Sequence, residues 1–302
     1  MNTAPRPLLP SGPTSELVAG TMTWGAWGAD YSAAAQAELI AHCLDLGITT
    51  FDHADIYGNY TTEAGFGAAL AELGPNVRDR LQLVTKCGIQ LLTHERPGNR
   101  VKHYNSSYEH IVASVDRSLL NLRTDYIDLL LIHRPDPLME VGAVARAFTE
   151  LKESGKVHYF GVSNFSPAQF ALLDAQTSLV TNQVECHPLH PDPYFDGTYE
   201  QAQELQFRPM VWSPLGGHDY FHGEGTHFLR LREQVSAIAK KYGTEEDVVL
   251  LAWCRQHPTV PIPVLGTTRQ DRLTRAVKSL SLELDRQDWY LILEAARGHE
   301  VA

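Results

Sequence analysis

The sequence predicts an α/β fold, a parallel (β/α)8 barrel of the TIM type, as a single domain over residues 1–302. Three observations point there. Short apolar runs rich in Val, Ile, Leu and Thr alternate with amphipathic stretches at helical spacing. The alternation continues from end to end with no linker or low-complexity segment to divide it. The length, 302 residues, is one that such barrels fill as one domain.

The predicted strands are 17–22, 48–53, 81–86, 127–133, 157–162, 180–185, 209–212 and 262–265, eight in all, the number a closed parallel barrel needs. Between them the spacing predicts helices over 33–46, 62–73, 108–122, 140–154, 167–176, 197–206, 244–256 and 270–280, with a last helix over 286–296. Ser166 before Pro167 reads as a cap followed by a first helical residue. Gly47 and Gly155 stand where a helix end calls for a left-handed residue. Residues 1–15, Pro-rich and without an apolar h-region, read as a loose leader, and the twenty or so residues before Ser32 as a plug for the barrel floor.

Hydrophobic residues make up 43% and charged residues 20%, the balance of an ordinary globule with a sizeable core, so disordered and collagen-like classes are excluded. No apolar run approaches the ~18 residues of a membrane span. The net charge of −11 opposes nucleic-acid binding, which needs clustered Lys and Arg. Cys43, Cys87, Cys186 and Cys254 are scattered without a CxxC, so the reading is a reducing, cytoplasmic setting with neither a zinc ribbon nor a disulfide framework. His187 with His190, and His218 with His222, lie among prolines and turn residues and make no closed ligand set, so no metal is expected.

Parallel strands deliver their C-terminal ends to one rim, which turns scattered polar residues into a constellation. Asp52 ends the second strand in DHADIYG, Tyr57 follows before Gly58, Lys86 ends the third strand and His133 follows the fourth. Together they offer a phenol for acid–base work, an ammonium to lower its pKa, a carboxylate to hold that ammonium, and an imidazole to orient a substrate oxygen. Singly, each has an ordinary explanation: a cap, a rim aromatic, a solvated strand end, a satisfied core histidine. Their joint placement at corresponding strand ends argues for chemistry.

With HADIYG, KCGI, HRPDPLM and GVSNF in this order, the chain resembles the aldo-keto reductase superfamily from about Gly20 to Ala296. The resemblance implies that Asp52, Tyr57, Lys86 and His133 are a catalytic tetrad, and that a reduced nicotinamide passes hydride to a carbonyl carbon while Tyr57 protonates the oxygen. It also implies that Ser163, Asn164 and Gln183 hold the nicotinamide carboxamide. Trp212 would stack on its ring and Ser213, Pro214, Leu215 and Gly216 would meet the pyrophosphate. Gly266, Thr267, Thr268, Arg269 and Arg272 would bind the adenosine 2′-phosphate, which favours NADPH/NADP+ over NADH. The family's usual Glu-Asn pair is replaced by Arg275-Ala276. No dinucleotide fingerprint follows a strand; Gly65-Phe-Gly67 lacks a third glycine and sits in a helical pattern.

Trp24, Trp27 and Tyr60 are the expected substrate-pocket residues, with further walls from 87–107, 134–138 and 216–228 and aromatics at Tyr104, Tyr220 and Phe221. The chain ends soon after its final helix, so the long C-terminal loop of many relatives reads as shortened and the site as open. The expected partner is a small-molecule carbonyl, with no nucleic acid, no membrane and a plausible monomer. Two rival readings stand beside the reductase. One is a nicotinamide-binding sensor or regulatory subunit on the same barrel. The other is a metal-dependent lyase or hydrolase using Asp52, Asp55 and Glu185.

Overall fold

The computed structural model describes Leu9 and residues 14–302, the side chain of His218 apart. Its strands are β1 (Val18–Gly20), β2 (Thr50–Asp52), β3 (Gln82–Cys87), β4 (Ile89–Gln90), β5 (His103–Tyr104), β6 (Ile127–Ile132), β7 (Val157–Ser163), β8 (Asn182–Glu185), β9 (Met210–Trp212) and β10 (Ile262–Leu265). Eight of them close a parallel barrel in the order β1-β10-β9-β8-β7-β6-β3-β2, and β4 and β5 form a separate antiparallel hairpin. All eight predicted strands are present, trimmed or shifted by one or two residues, and every predicted helix has a counterpart.

The near-continuous apolar strand sequences follow from burial on both faces. In β6, Leu129 and Leu131 point into the barrel with Val18, Val84, Met210, Ile262 and Val264, while Leu130 and Ile132 pack outward against Ile111, Val144 and Phe148. Gly161 in β7 is required by close approach, because a Cβ there would lie 2.8 Å from both Leu131 Cδ2 and the Thr181 carbonyl oxygen.

The floor differs from the expectation. Leu9, 2% exposed, joins the cluster inside the barrel, and Ser15 Oγ accepts from Thr50 N at 3.0 Å. The rest of the expected leader, residues 1–8 and 10–13, lies outside the described residues. Residues 21–31, expected to contribute to a floor plug, instead turn back across the opposite rim after β1, where Trp27 approaches Tyr57. Glu16 closes the lower end: Arg208 donates to both its carboxylate oxygens at 2.8 and 2.7 Å, and Arg255 joins at 2.8 Å.

Two helices, Gly217–His222 and Thr226–Tyr242, fill a stretch for which no helix was expected. The longer one buries Leu231, Val235, Ile238 and Ala239 against the helices Glu246–Arg255 and Arg286–Arg297, and stops at Gly243, where φ is +63°.

Candidate active site

The C-terminal strand ends surround a cavity of about 750 Å³. Behind its wall lies the Lys86 ammonium, 1% exposed. It donates to Asp52 Oδ2 at 2.6 Å, to the His53 carbonyl at 2.8 Å and to the Tyr57 hydroxyl at 3.1 Å. The second Asp52 oxygen accepts from Gln183 Nε2 at 2.8 Å. Tyr57 and His133 meet edge to face with ring centroids 6.1 Å apart. All four side chains are thus within one connected group, and Asp52, Tyr57 and His133 line the cavity.

Local backbone explains why Tyr57 is followed by glycine. Residues 58, 59 and 60 all adopt left-handed φ, and a Cβ on Gly58 would lie 2.5 Å from Thr62 Oγ1. The turn aims the phenol back over Lys86 instead of letting the chain run directly into the helix Thr62–Leu73.

Burial governs the charge states. It pushes the Tyr57 phenol upward, and the Lys86 ammonium only partly offsets it, so the hydroxyl keeps its proton at neutral pH. This corrects the expectation that Lys86 brings the phenol toward neutrality: desolvation is the larger effect. For Lys86 itself burial works against the charge, but Asp52 and Tyr57 outweigh it and the pKa is raised. Burial, with Lys86, Arg134 and Lys102 nearby, holds His133 well below its usual range, so the imidazole is neutral. Its Nδ1 is buried without a hydrogen-bond partner.

Across the rim, Ser163, Asn164, Gln183, Trp212, Ser213, Pro214, Leu215, Gly266, Thr267 and Arg272 line the same cavity. Asn164, at φ +60°, is held on both sides: its Nδ2 donates to Ser163 Oγ at 2.8 Å and its Oδ1 accepts from Trp212 Nε1 at 2.9 Å. The indole at 212 therefore pins Asn164. Ser213 and Gly216 are left-handed and close a turn through a 2.8 Å backbone bond. A Cβ on Gly266 would meet nothing within 4 Å, so its open face is presented to the cavity.

Several expected residues lie elsewhere. Trp24 is fully buried against Phe51 and Phe66 and is core, not pocket wall; Trp27, three residues on, is the indole that lines the cavity. Tyr60 is not a wall residue either: its hydroxyl accepts from Leu91 N at 3.0 Å and supports the segment after β4. Gly216, Thr268 and Arg269 are outside the cavity lining, and Arg269 is tied to Asp271 at 2.7 Å. Tyr220 is buried and bonds Glu246, whereas Tyr104 and Phe221 do reach the cavity. Asp52, Asp55 and Glu185 do not assemble a metal site. Asp55 is buried away from the cavity, with burial and then Glu63 pushing its pKa up, and Glu185 bonds His187. Among the described residues no three His, Cys, Asp or Glu side chains converge on a point that would hold a metal ion. Lining residues not anticipated individually include the polar or charged Lys102, Arg134 and Asp247 along with Met22 and Gly217.

The sequence over residues 16–297 matches the Aldo/keto reductase family. The chain belongs to that family. It is 46% identical over 290 residues to the uncharacterized oxidoreductase YcsN of Bacillus subtilis, covering 95% of this chain and 96% of the relative. It is 41% identical over 295 residues to a 6-dehydroglucose reductase of Agrobacterium fabrum, covering 96% and 98%. The structure of the thermostable aldo-keto reductase Tm1743, solved with the inhibitor epalrestat, superposes with a TM-score of 0.78 at 26% identity, covering 97% of this chain and all of that one. The protein is an oxidoreductase of a family that acts on small carbonyl compounds with nicotinamide cofactors. No helix among the described residues is long and apolar enough to cross a membrane.

Proposed function

We propose that the protein is an NADPH-dependent carbonyl reductase in which Tyr57 protonates the oxygen of an aldehyde or ketone. The observation that carries this reading is the buried Lys86 ammonium bridging Asp52 and the Tyr57 hydroxyl at the edge of the cavity. A bound reduced nicotinamide would supply the hydride. Its ring would rest beside Ser163, Asn164, Gln183 and Trp212, with the phosphates along Ser213, Pro214 and Leu215 and along Gly266, Thr267 and Arg272. Gln183 keeps its Oε1 for a carboxamide N–H, because its amide nitrogen is engaged by Asp52.

The chain's own residues then do the rest. Neutral His133 donates a hydrogen bond to the carbonyl oxygen and fixes its approach. Tyr57 gives that oxygen its proton, and the phenolate left behind is stabilised by the ammonium at 3.1 Å. Asp52 keeps Lys86 in place, so the cation is aimed before charge develops. Among the lining residues Met22, Trp27, Ile89, Leu91, Tyr104 and Phe221 present apolar surface that excludes water from the reacting atoms.

Arg272 supports the choice of NADPH. Of the basic residues at the final barrel helix, Arg269 is paired with Asp271, Arg275 with Asp247 and Lys278 with Glu245. Arg272 has no ion-pair partner among the described residues and faces the cavity. Four buried, unpaired cysteines support a cytoplasmic setting.

The test is titration with NADPH and NADH followed through quenching of tryptophan fluorescence, then consumption of the reduced nicotinamide with a panel of aldehydes. Because two relatives are named 6-dehydroglucose reductase, a sugar aldehyde belongs in that panel. Quenching with turnover supports the reductase; tight binding with no turnover of any carbonyl supports a sensor in its place.

A further inference from the structure

We infer that the substrate carries an anionic group, and that Lys102 and Arg134 bind it on the cavity wall opposite the cofactor phosphates. The inference rests on the reductase reading above. Both side chains line the cavity, and neither has a hydrogen-bond or ion-pair partner among the described residues. The two carboxylates in the same lining are both occupied, Asp52 by Lys86 and Asp247 by Arg275. The substrate side of the cavity is therefore left with uncompensated positive charge in a chain whose net charge is −11. A cavity lined by one sign of charge concentrates ligands of the opposite sign.

Their placement separates these two cations from those a cofactor would use. Arg134 directly follows His133 at the end of β6, and its guanidinium carbon stands 5.6 Å from the centre of the Trp212 ring, beside the place proposed for the nicotinamide ring rather than for the phosphates. Lys102 immediately precedes β5, which pairs with β4, and β4 follows almost directly from the strand that carries Lys86. Both thus sit on the β3–β6 side, around His133 and Tyr57, whereas Arg272 belongs to the helix after β10. The two cations also lie near enough to His133 to disfavour its protonation. A carbonyl oxygen at Tyr57 and His133 would leave an acidic group on the same molecule within reach of Arg134's planar donor fork, with exposed Lys102 adding charge from the rim. A carboxylate and a phosphate monoester share this chemistry.

The experiment compares kcat/KM for two matched pairs: 4-carboxybenzaldehyde against its methyl ester, and glyceraldehyde 3-phosphate against glyceraldehyde. We expect the anion to be preferred at least tenfold in one pair, which identifies the acid group, and the preference to shrink as salt rises. Arg134→Gln and Lys102→Gln should each lower that anion-to-neutral ratio, Arg134→Gln to within threefold of unity, while Arg134→Lys retains part of it. A ratio at or below unity in both pairs, or a preference unchanged in both Gln variants, overturns the inference while leaving the reductase standing. An Arg134→Gln variant that raises the KM for NADPH without moving the ratio assigns the guanidinium to the cofactor and overturns it too. No reduction of any of the four compounds with either cofactor overturns the reductase reading, and this inference falls with it.

Discussion

The ion pair between Asp52 and Lys86 gives a sharp energetic prediction. Their closest atoms are 2.6 Å apart and both side chains are 3% exposed or less. At an effective dielectric of ~20 such a contact corresponds to about 6 kcal/mol of direct attraction, before the cost of desolvating both ions. Removing one partner leaves the other charge buried, which typically costs about 3–5 kcal/mol, whereas removing both is far milder. Asp52→Asn and Lys86→Met should therefore each lower stability by about 3–5 kcal/mol. The double variant should be less destabilised than the two singles combined by about 2 kcal/mol or more. Urea unfolding followed by tryptophan fluorescence measures all four corners of the cycle. Additive effects, or singles within about 1 kcal/mol of the parent, would refute the claim that Lys86 is a buried, charged, pair-dependent group.

Further outcomes follow from residues at the two ends of the barrel. Arg272→Gln should raise the KM for NADPH about tenfold, the worth of one charge-assisted contact to a phosphate, and leave the KM for NADH nearly unchanged; parallel effects on both cofactors would remove Arg272 from the 2′-phosphate. At the floor, the hydrogen bond from Arg208, joined by Arg255, holds Glu16 down to about 2 against the opposing effect of burial. Because its folded pKa lies below its ordinary value of 4.5, its contribution to stability is present above that value and is lost as pH falls toward 2. The stability gap between the parent and Glu16→Gln should therefore close over that window in denaturation curves, and a gap independent of pH would contradict the assignment.

Strand ends were the most legible part of the chain, for a physical reason. A parallel strand buried on both faces reads as a largely apolar run, so the ionisable side chain at its C-terminal end marks the rim: Asp52 and Lys86 at the ends of β2 and β3 and His133 just after β6 stand out this way. The helix Thr226–Tyr242 was missed because only Leu231, Val235, Ile238 and Ala239 are buried among seventeen residues, and the charged remainder masks the period. Gly223 and Gly225 just before it also read as an extended loop. Trp24 and Trp27 have the same side chain three residues apart, and only the packing of Phe51 and Phe66 around one of them decides which is core. The direction of the Tyr57 shift had the same origin: charge neighbours can be guessed from motif order, but the depth of burial comes from the assembled barrel. Likewise the bond from Trp212 to Asn164 joins residues 48 apart and leaves no local trace.

The central claim is that Tyr57 is the proton donor, and single-turnover reduction by Tyr57→Phe tests it most directly. NADPH binding, read by tryptophan quenching, should be retained, because only a hydroxyl is lost from the cavity wall. Hydride transfer to a reactive aromatic aldehyde should fall by roughly two to four orders of magnitude, the contribution of a positioned general acid. A variant that binds NADPH and reduces the aldehyde at the parent's rate would contradict the account.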